Sequence, residues 1–196
     1  MQHPKEQILV VPAKLAVTLA PLLFNPVPFG LEQMLLAEHS FRDREEAETN
    51  YDFKQVIPYI VVRHGEHYLM SRRTAEQQEK RLHNKYSLGQ GGHVKDTDFE
   101  SQDPILTGLL RELREEFVLA PEYGCAPVGL INDDSTDVGR VHMGIAYELR
   151  VMDLRLEVAE KGLHEAQWLT APQLREYYPN MESWSKILMD HVILPA

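Results

Sequence analysis

The stretch from Asp103 to Phe117 constrains the fold more than any other part of this chain. Asp103-Pro104 is a helix-start signal: an aspartate able to accept from an unpaired amide, then a proline whose missing N–H costs nothing in the first turn. The spacing predicts a helix running to about Phe117, with Pro121 limiting its continuation. On a helical wheel Leu106, Leu110, Leu113 and Phe117 make one apolar stripe.

Strand patterns flank this helix. Residues 56–62 are β-branched and apolar, and Tyr68-Leu69-Met70 follows after His64-Gly65-Glu66-His67, which predicts a hairpin with Gly65 in the turn. Residues 128–131 and 141–149 read as two more strands, the second alternating as a half-buried strand does, and residues 165–169 as another. Thr170 is a candidate cap for a helix opened by Ala171-Pro172. Trp184, Ile187, Leu188 and His191 then recur at helical spacing in the tail. Interleaved strands and helices place the chain in the α/β or α+β class around a mixed sheet.

Residues 1–50 read as an extension packed on a main domain of residues 51–196. The extension comprises a strand at 8–11, a proline-punctuated connection, a helix around 31–39 and a charged run at 42–48 read as a solvated helix face or loop. Its apolar part, 8–29, is broken by Pro12, Lys14, Pro21, Pro26 and Pro28, so no membrane-spanning helix is expected. The same apolar part makes a homodimer contact one expectation for the extension. The single cysteine, Cys125, excludes an intramolecular disulfide framework and a Cys-rich zinc site, and it suits a cytoplasmic protein.

Acids outnumber bases 30 to 20 among 196 residues, a formal net charge of −10, so a nucleic-acid polymer would be repelled rather than neutralised. Some of those acids are placed oddly. Glu112, Glu115 and Glu116 share one face of the predicted helix at i, i+3 and i+4, where like charges repel, and they sit at the end of the helix dipole that disfavours anions. A bound cation would compensate, and hard carboxylate oxygens suit Mg²⁺, with Mn²⁺ as the alternative ion. The same face reads equally as a solvated helix in which Arg111 and Arg114 pair with the glutamates.

Gly91-Gly92 upstream changes the weighting, because a backbone without side chains can approach a ligand or metal closely. A glycine turn followed by a carboxylate helix resembles the signature of the Nudix hydrolases, G-x5-E-x7-R-E-U-x-E-E-x-G-U with U aliphatic. Arg111-Glu112-Leu113-Arg114-Glu115-Glu116-Phe117-Val118-Leu119 matches every fixed position of its second half except the glycine, where Val118 stands. Gly92 occupies the place of the first glycine and Asp103 that of the first glutamate, and the interval from Gly92 to Arg111 is five residues longer than the pattern's. Lys54-Gln55-Val56-Ile57-Pro58-Tyr59, Arg81-Leu82-His83, Gly91-Gly92-His93, Asn132-Asp133-Asp134 with Val138-Gly139, and Glu182-Ser183-Trp184-Ser185 further resemble a MutT-related subgroup described only as predicted phosphoesterases.

The resemblance implies an α+β fold of the Nudix α/β/α sandwich type, with a mixed sheet and the carboxylate helix after the Gly-Gly turn. It also implies a Mg²⁺-dependent pyrophosphohydrolase acting on a small nucleotide or diphosphate substrate by metal-activated attack of water on phosphorus. Glu112, Glu115 and Glu116 would be metal ligands, with the Gly92 carbonyl a further one, and Arg111 would orient a glutamate by a bidentate pair. A general base could come from the box or from Asp133, Asp134 or Glu165. Arg72, Arg73, Arg81, Lys85 and His93 are candidate substrate contacts, against the plainer readings of a basic surface loop and a structural histidine; His142 has the same two readings. Trp168 and Trp184 read as packing anchors. Two rivals remain: an isomerase on the same fold, which would need a cysteine near the glycine turn, and a nucleotide-binding sensor without turnover.

Overall fold

The structure, a computed structural model, describes residues 6–73, 84–118, 123–152, 157–158 and 163–195. In chain order the elements are β1 (Gln7–Pro12), α1 (Ala13–Leu19), β2 (Phe24–Asn25), α2 (Leu31–Glu38), β3 (Ser40–Asp43), α3 (Arg44–Ala47), β4 (Phe53–His64), β5 (His67–Arg73), β6 (Tyr86–Ser87) and β7 (Gly89–Gly91). A 3₁₀ helix (Asp96–Glu100) leads into α4 (Pro104–Glu116), followed by β8 (Phe117–Val118), β9 (Tyr123–Ile131), α5 (Asp137–Arg140), β10 (His142–Val151), β11 (Glu157–Val158) and β12 (Leu163–Thr170). The chain ends in α6 (Ala171–Tyr177), a 3₁₀ turn (Tyr178–Asn180) and α7 (Ser183–Leu188), which runs on as a π-helical turn (Met189–Ile193).

Two compact units share these elements. The first holds Met1–Tyr59, Gly91–Leu110 and Val128–Ala146; the second holds Ile60–Gln90, Arg111–Pro127 and Tyr147–Ala196. Strands β4, β9 and β10 and helix α4 each contribute residues to both.

In the first unit β1 is an inner strand, antiparallel to β3 on one side (Leu9↔Phe41) and to β4 on the other (Val10↔Gln55). Gln55 N–H donates to the Val141 carbonyl at 2.8 Å, which sets β4 beside the start of β10. The short β2 closes against β9 through Phe24↔Ile131. Ile8, Leu9, Val10, Val11, Leu35, Leu130 and Ile131 are all buried to within 1% of complete, and full burial of such side chains is worth about 1.5–3 kcal/mol each. The sequence predicts alternation along residues 141–149, yet 142–146 are buried at every position. A strand covered on both faces has no solvent side for a polar residue to point to. The charged run at 42–48 becomes the end of β3 and the short α3, whose N-terminal amide at Glu45 donates to the Asp43 carboxylate (3.0 Å).

Not every apolar residue of the first fifty is covered. Phe29 is fully exposed, and Val17, Leu22, Leu23 and Met34 are also solvent-facing. Among the described residues no helix is long and apolar enough to cross a membrane.

The second unit is built on the hairpin read from the sequence, with Arg63↔Tyr68 and His64↔His67 in register. Gly65 takes φ +55°, a value side-chain-bearing residues reach only with strain. β12 pairs with β5 antiparallel, and β6 pairs with β5 as well. Thr170 and Gln173 form a reciprocal capping box at the start of α6. Buried Glu182 accepts from Ser185 Oγ at 3.2 Å and from Ser87 Oγ, while Ser185 Oγ takes the Leu88 amide at 2.9 Å. This polar network ties the tail to the β6–β7 strip.

Candidate functional site

Helix α4 starts as its sequence signal requires: the Asp103 carboxylate accepts the Leu106 amide at 2.8 Å. That makes Asp103 a cap. Apart from Leu113, the core stripe is rotated by one residue from the reading by periodicity. Ile105, Leu109 and Leu113 are buried at 0–3% exposure, whereas Leu106 and Leu110 are half-buried. Apolar pairs at 105–106 and 109–110 make the two stripes equally apolar in sequence, so packing decides between them. Gly108 faces buried Asp98, whose Oδ2 would lie 2.9 Å from a Cβ there, and Asp98 in turn holds the Lys95 amide at 2.8 Å. The first half of α4 therefore sits tight on the segment that follows Gly92.

The last turns of α4 carry the box residues in the second unit. One guanidinium nitrogen of Arg111 lies 2.5 Å from Glu112 Oε1 and 3.4 Å from Glu115 Oε1. Arg111 thus draws two carboxylates of one helix face to a common point and offsets the repulsion between them. The Arg111 and Glu112 side chains are each 24% exposed and Glu115 is 52% exposed, so the pair is reachable from solvent. Two hard oxygen donors open to water suit a hydrated divalent ion such as Mg²⁺ better than a soft metal. Glu116 is the last residue of α4, and its side chain lies outside the described residues.

The other sequence-derived candidates fall as follows. Gly92 is buried in the first unit, and its N–H donates to the Pro58 carbonyl at 3.4 Å. Arg72, half-buried, is on β5 opposite His164 and Tyr86, and Arg73 ends that strand. Lys85 is exposed, and Arg81 lies outside the described residues. Asp133 is buried and accepts from the Ser135 amide (3.1 Å) and hydroxyl (2.5 Å), while Asp134 pairs with Lys54. Those bonds give both aspartates structural work. Cys125 is half-buried on β9, where burial pushes its thiol up to about 11.

One constellation gathers residues from several separate segments that the sequence resemblance quotes, Lys54-Gln55, His93 and Asn132-Asp133-Asp134. Lys54 is 2% exposed, and its ammonium donates to Asn132 Oδ1 (2.6 Å), Asp134 Oδ1 (2.5 Å) and the Gly139 carbonyl (2.9 Å). Only glycine fits at 139, because a Cβ would stand 1.6 Å from the Asp133 carbonyl oxygen. Next to this tether, His142 Nδ1 donates to the Val138 carbonyl at 2.6 Å and its Nε2 lies 3.9 Å from Glu48 Oε1. The His93 ring stands 6.1 Å from the His142 ring, with its Nε2 2.7 Å from Gln55 Oε1. Burial holds His93 far below the ordinary imidazole value, to about 3, and Arg44, His142 and Lys95 add to that against Glu6. His93 and His142 therefore share one partly buried cluster with Glu48, a residue of the charged run read as a solvated face.

No family model matches the chain. The chain is 34% identical over 168 residues to protein YmaB of Bacillus subtilis (strain 168), covering 81% of this chain and 82% of that one. It superposes on Tm1382, a candidate Nudix hydrolase, with a TM-score of 0.79 and 35% identity over 94% of this chain and 96% of the other. The Nudix domain of Shewanella oneidensis NrtR, solved with ADP ribose, shares the fold at a TM-score of 0.53 and 14% identity, over 76% of this chain and 95% of that one. The chain belongs to the Nudix hydrolase family and has its mixed α+β fold.

Proposed function

We propose that this chain is a Mg²⁺-dependent Nudix pyrophosphohydrolase that cleaves the diphosphate of a nucleoside diphosphate linked to another moiety. The observation that supports this most is the Arg111 guanidinium shared by Glu112 and Glu115 on the box helix of a family member. That contact brings two carboxylate oxygens of one helix face together beside water, as a hydrated divalent ion requires.

Glu112, Glu115 and Glu116 supply the hard oxygens, and Arg111 is a positioning residue that fixes where two of them point. When bound, Mg²⁺ supplies neutralisation of the diphosphate and a lowered pKa for attacking water. The carboxylates' work is to hold that charge against solvent, on a helix whose far face is anchored by Leu113.

The test is phosphate or nucleotide release over nucleoside diphosphate sugars, dinucleotides and nucleoside triphosphates, with and without Mg²⁺, and with Mn²⁺ in its place. ADP-ribose, which the Shewanella domain binds, belongs in the first panel. Mg²⁺-dependent release from a diphosphate linkage is expected. Saturable binding of a nucleotide without any turnover would instead support the sensor reading.

A further inference from the structure

The geometry points to a second metal site in this chain, in which Glu48, His93 and His142 hold a divalent transition ion, zinc being the best match. The site lies within the first unit and is independent of the box carboxylates. Each of the three offers one ligand atom, and these atoms all lie within 4.8 Å of one another. Two imidazole nitrogens and one carboxylate oxygen form a borderline donor set that favours late first-row ions over Mg²⁺ or Ca²⁺.

The surroundings are those of a ligand cluster. The bond from His142 Nδ1–H to the Val138 carbonyl fixes the tautomer, so the lone pair of the neutral ring is on Nε2, the atom that faces Glu48. His93 Nε2–H donates to Oε1 of Gln55, which is 1% exposed, so the lone pair of this tautomer is on Nδ1, the nitrogen left for an ion. Outer partners of this kind orient metal-bound histidines and raise their basicity. The amide nitrogen of Gln55 is buried with no hydrogen-bond partner among the described residues. An unsatisfied buried donor costs about 1–3 kcal/mol.

Electrostatics oppose a cation only in part. Arg44 and Lys95 add positive field around His93, but both pair with Glu6, at 3.1 and 2.9 Å. Glu48 brings the remaining negative charge. Tetrahedral coordination at zinc distances sets ligand atoms about 3.3 Å apart, so the cluster must contract slightly. Glu48 is the member able to move, being 28% exposed at the end of the short α3, whereas His142 is 8% exposed.

The test uses the whole chain, treated with chelator and carrying Glu112→Gln, Glu115→Gln and Glu116→Gln, which removes the hard-ion carboxylates and needs no turnover. One equivalent of Co²⁺ should bind with the intense visible absorption of a four-coordinate ion and be displaced by Zn²⁺. Adding Glu48→Gln or His93→Gln should weaken binding by about a hundred-fold or more. Because a buried histidine variant can fail to fold, the imidazole ¹⁵N resonances of His93 and His142 are also followed in the unsubstituted chain. Both should shift with the first equivalent of Zn²⁺. Absence of Co²⁺ binding by the folded protein, or binding that leaves both histidine resonances in place, would overturn the site.

Discussion

Two clusters of ligand-type side chains in this molecule obey opposite rules. At the end of α4, Glu112 and Glu115 stand in partial contact with water and share one arginine. In the first unit, buried His142 and half-buried His93 and Glu48 form a mixed cluster whose rings are held by the Val138 carbonyl and by buried Gln55. Near solvent, like charges coexist because water and the shared guanidinium screen them, so the acids can be spaced with little regard for packing. Under burial a polar atom without a partner is costly, so geometry is set first by hydrogen bonds. The exposed cluster should therefore be functionally sensitive and structurally cheap, and the buried scaffold the reverse.

The largest expected effect tests the first half of that contrast. Glu112→Gln and Glu115→Gln should each lower turnover by about 10²–10³-fold with the urea midpoint unchanged. A variant that keeps wild-type turnover would end the assignment of the box. The second half is tested by Lys54→Met, which leaves Asn132 and the Gly139 carbonyl without their ammonium donor. Stability should fall by about 3 kcal/mol in urea unfolding; a loss under about 1 kcal/mol would mean the tether behaves like a surface ion pair.

Cys125 shows that the second unit is not open everywhere. With its thiol raised from 9.0 to about 11 by burial, the thiolate is the scarcer form at every pH below that value. Alkylation at pH 8 should run about a hundred-fold slower than for a simple thiol and keep rising about tenfold per pH unit beyond 9. A rate that levels off near pH 9 would contradict the burial. Arg111→Ala should cost turnover about 10–100-fold, the range for partners that orient ligands, and restoration by Arg111→Lys would argue that a single charged nitrogen suffices. The smallest effect separates cap from box at Asp103: Asp103→Ala should lose about 1 kcal/mol of stability, Asp103→Asn almost none, and neither should change turnover. A large loss of turnover in both would restore Asp103 to the site.

Much of this was legible in sequence where the signal is local. Asp103-Pro104, the Gly65 hairpin and Thr170-Ala171-Pro172 each announce an element with their own chemistry, and all three elements are present. The acids at 112 and 115 were legible because a helix converts spacing into a shared face. In the stripe of α4 Leu113 is buried as read, but Ile105 and Leu109 take the places expected of Leu106 and Leu110, since isoleucine and leucine at 105, 106, 109 and 110 offer no contrast. β10 was misread as half-buried because cover on its second face comes from residues distant in sequence. Glu48 was lost in a run of charges whose neighbours do face solvent.

The sequence alone therefore determined α4 with its carboxylate face, the Gly65 hairpin and the start of α6, and pointed to the family, since helix periodicity and capping act over a few residues. The gathering of Glu48, Gln55, His93 and His142 was decided only by tertiary structure. Their separations along the chain carry no period, and the β1–β4 ladder, the β4–β10 contact and the Lys54 tether close those distances. Burial then gives each side chain its tautomer and its partner, a constraint that no spacing of letters expresses.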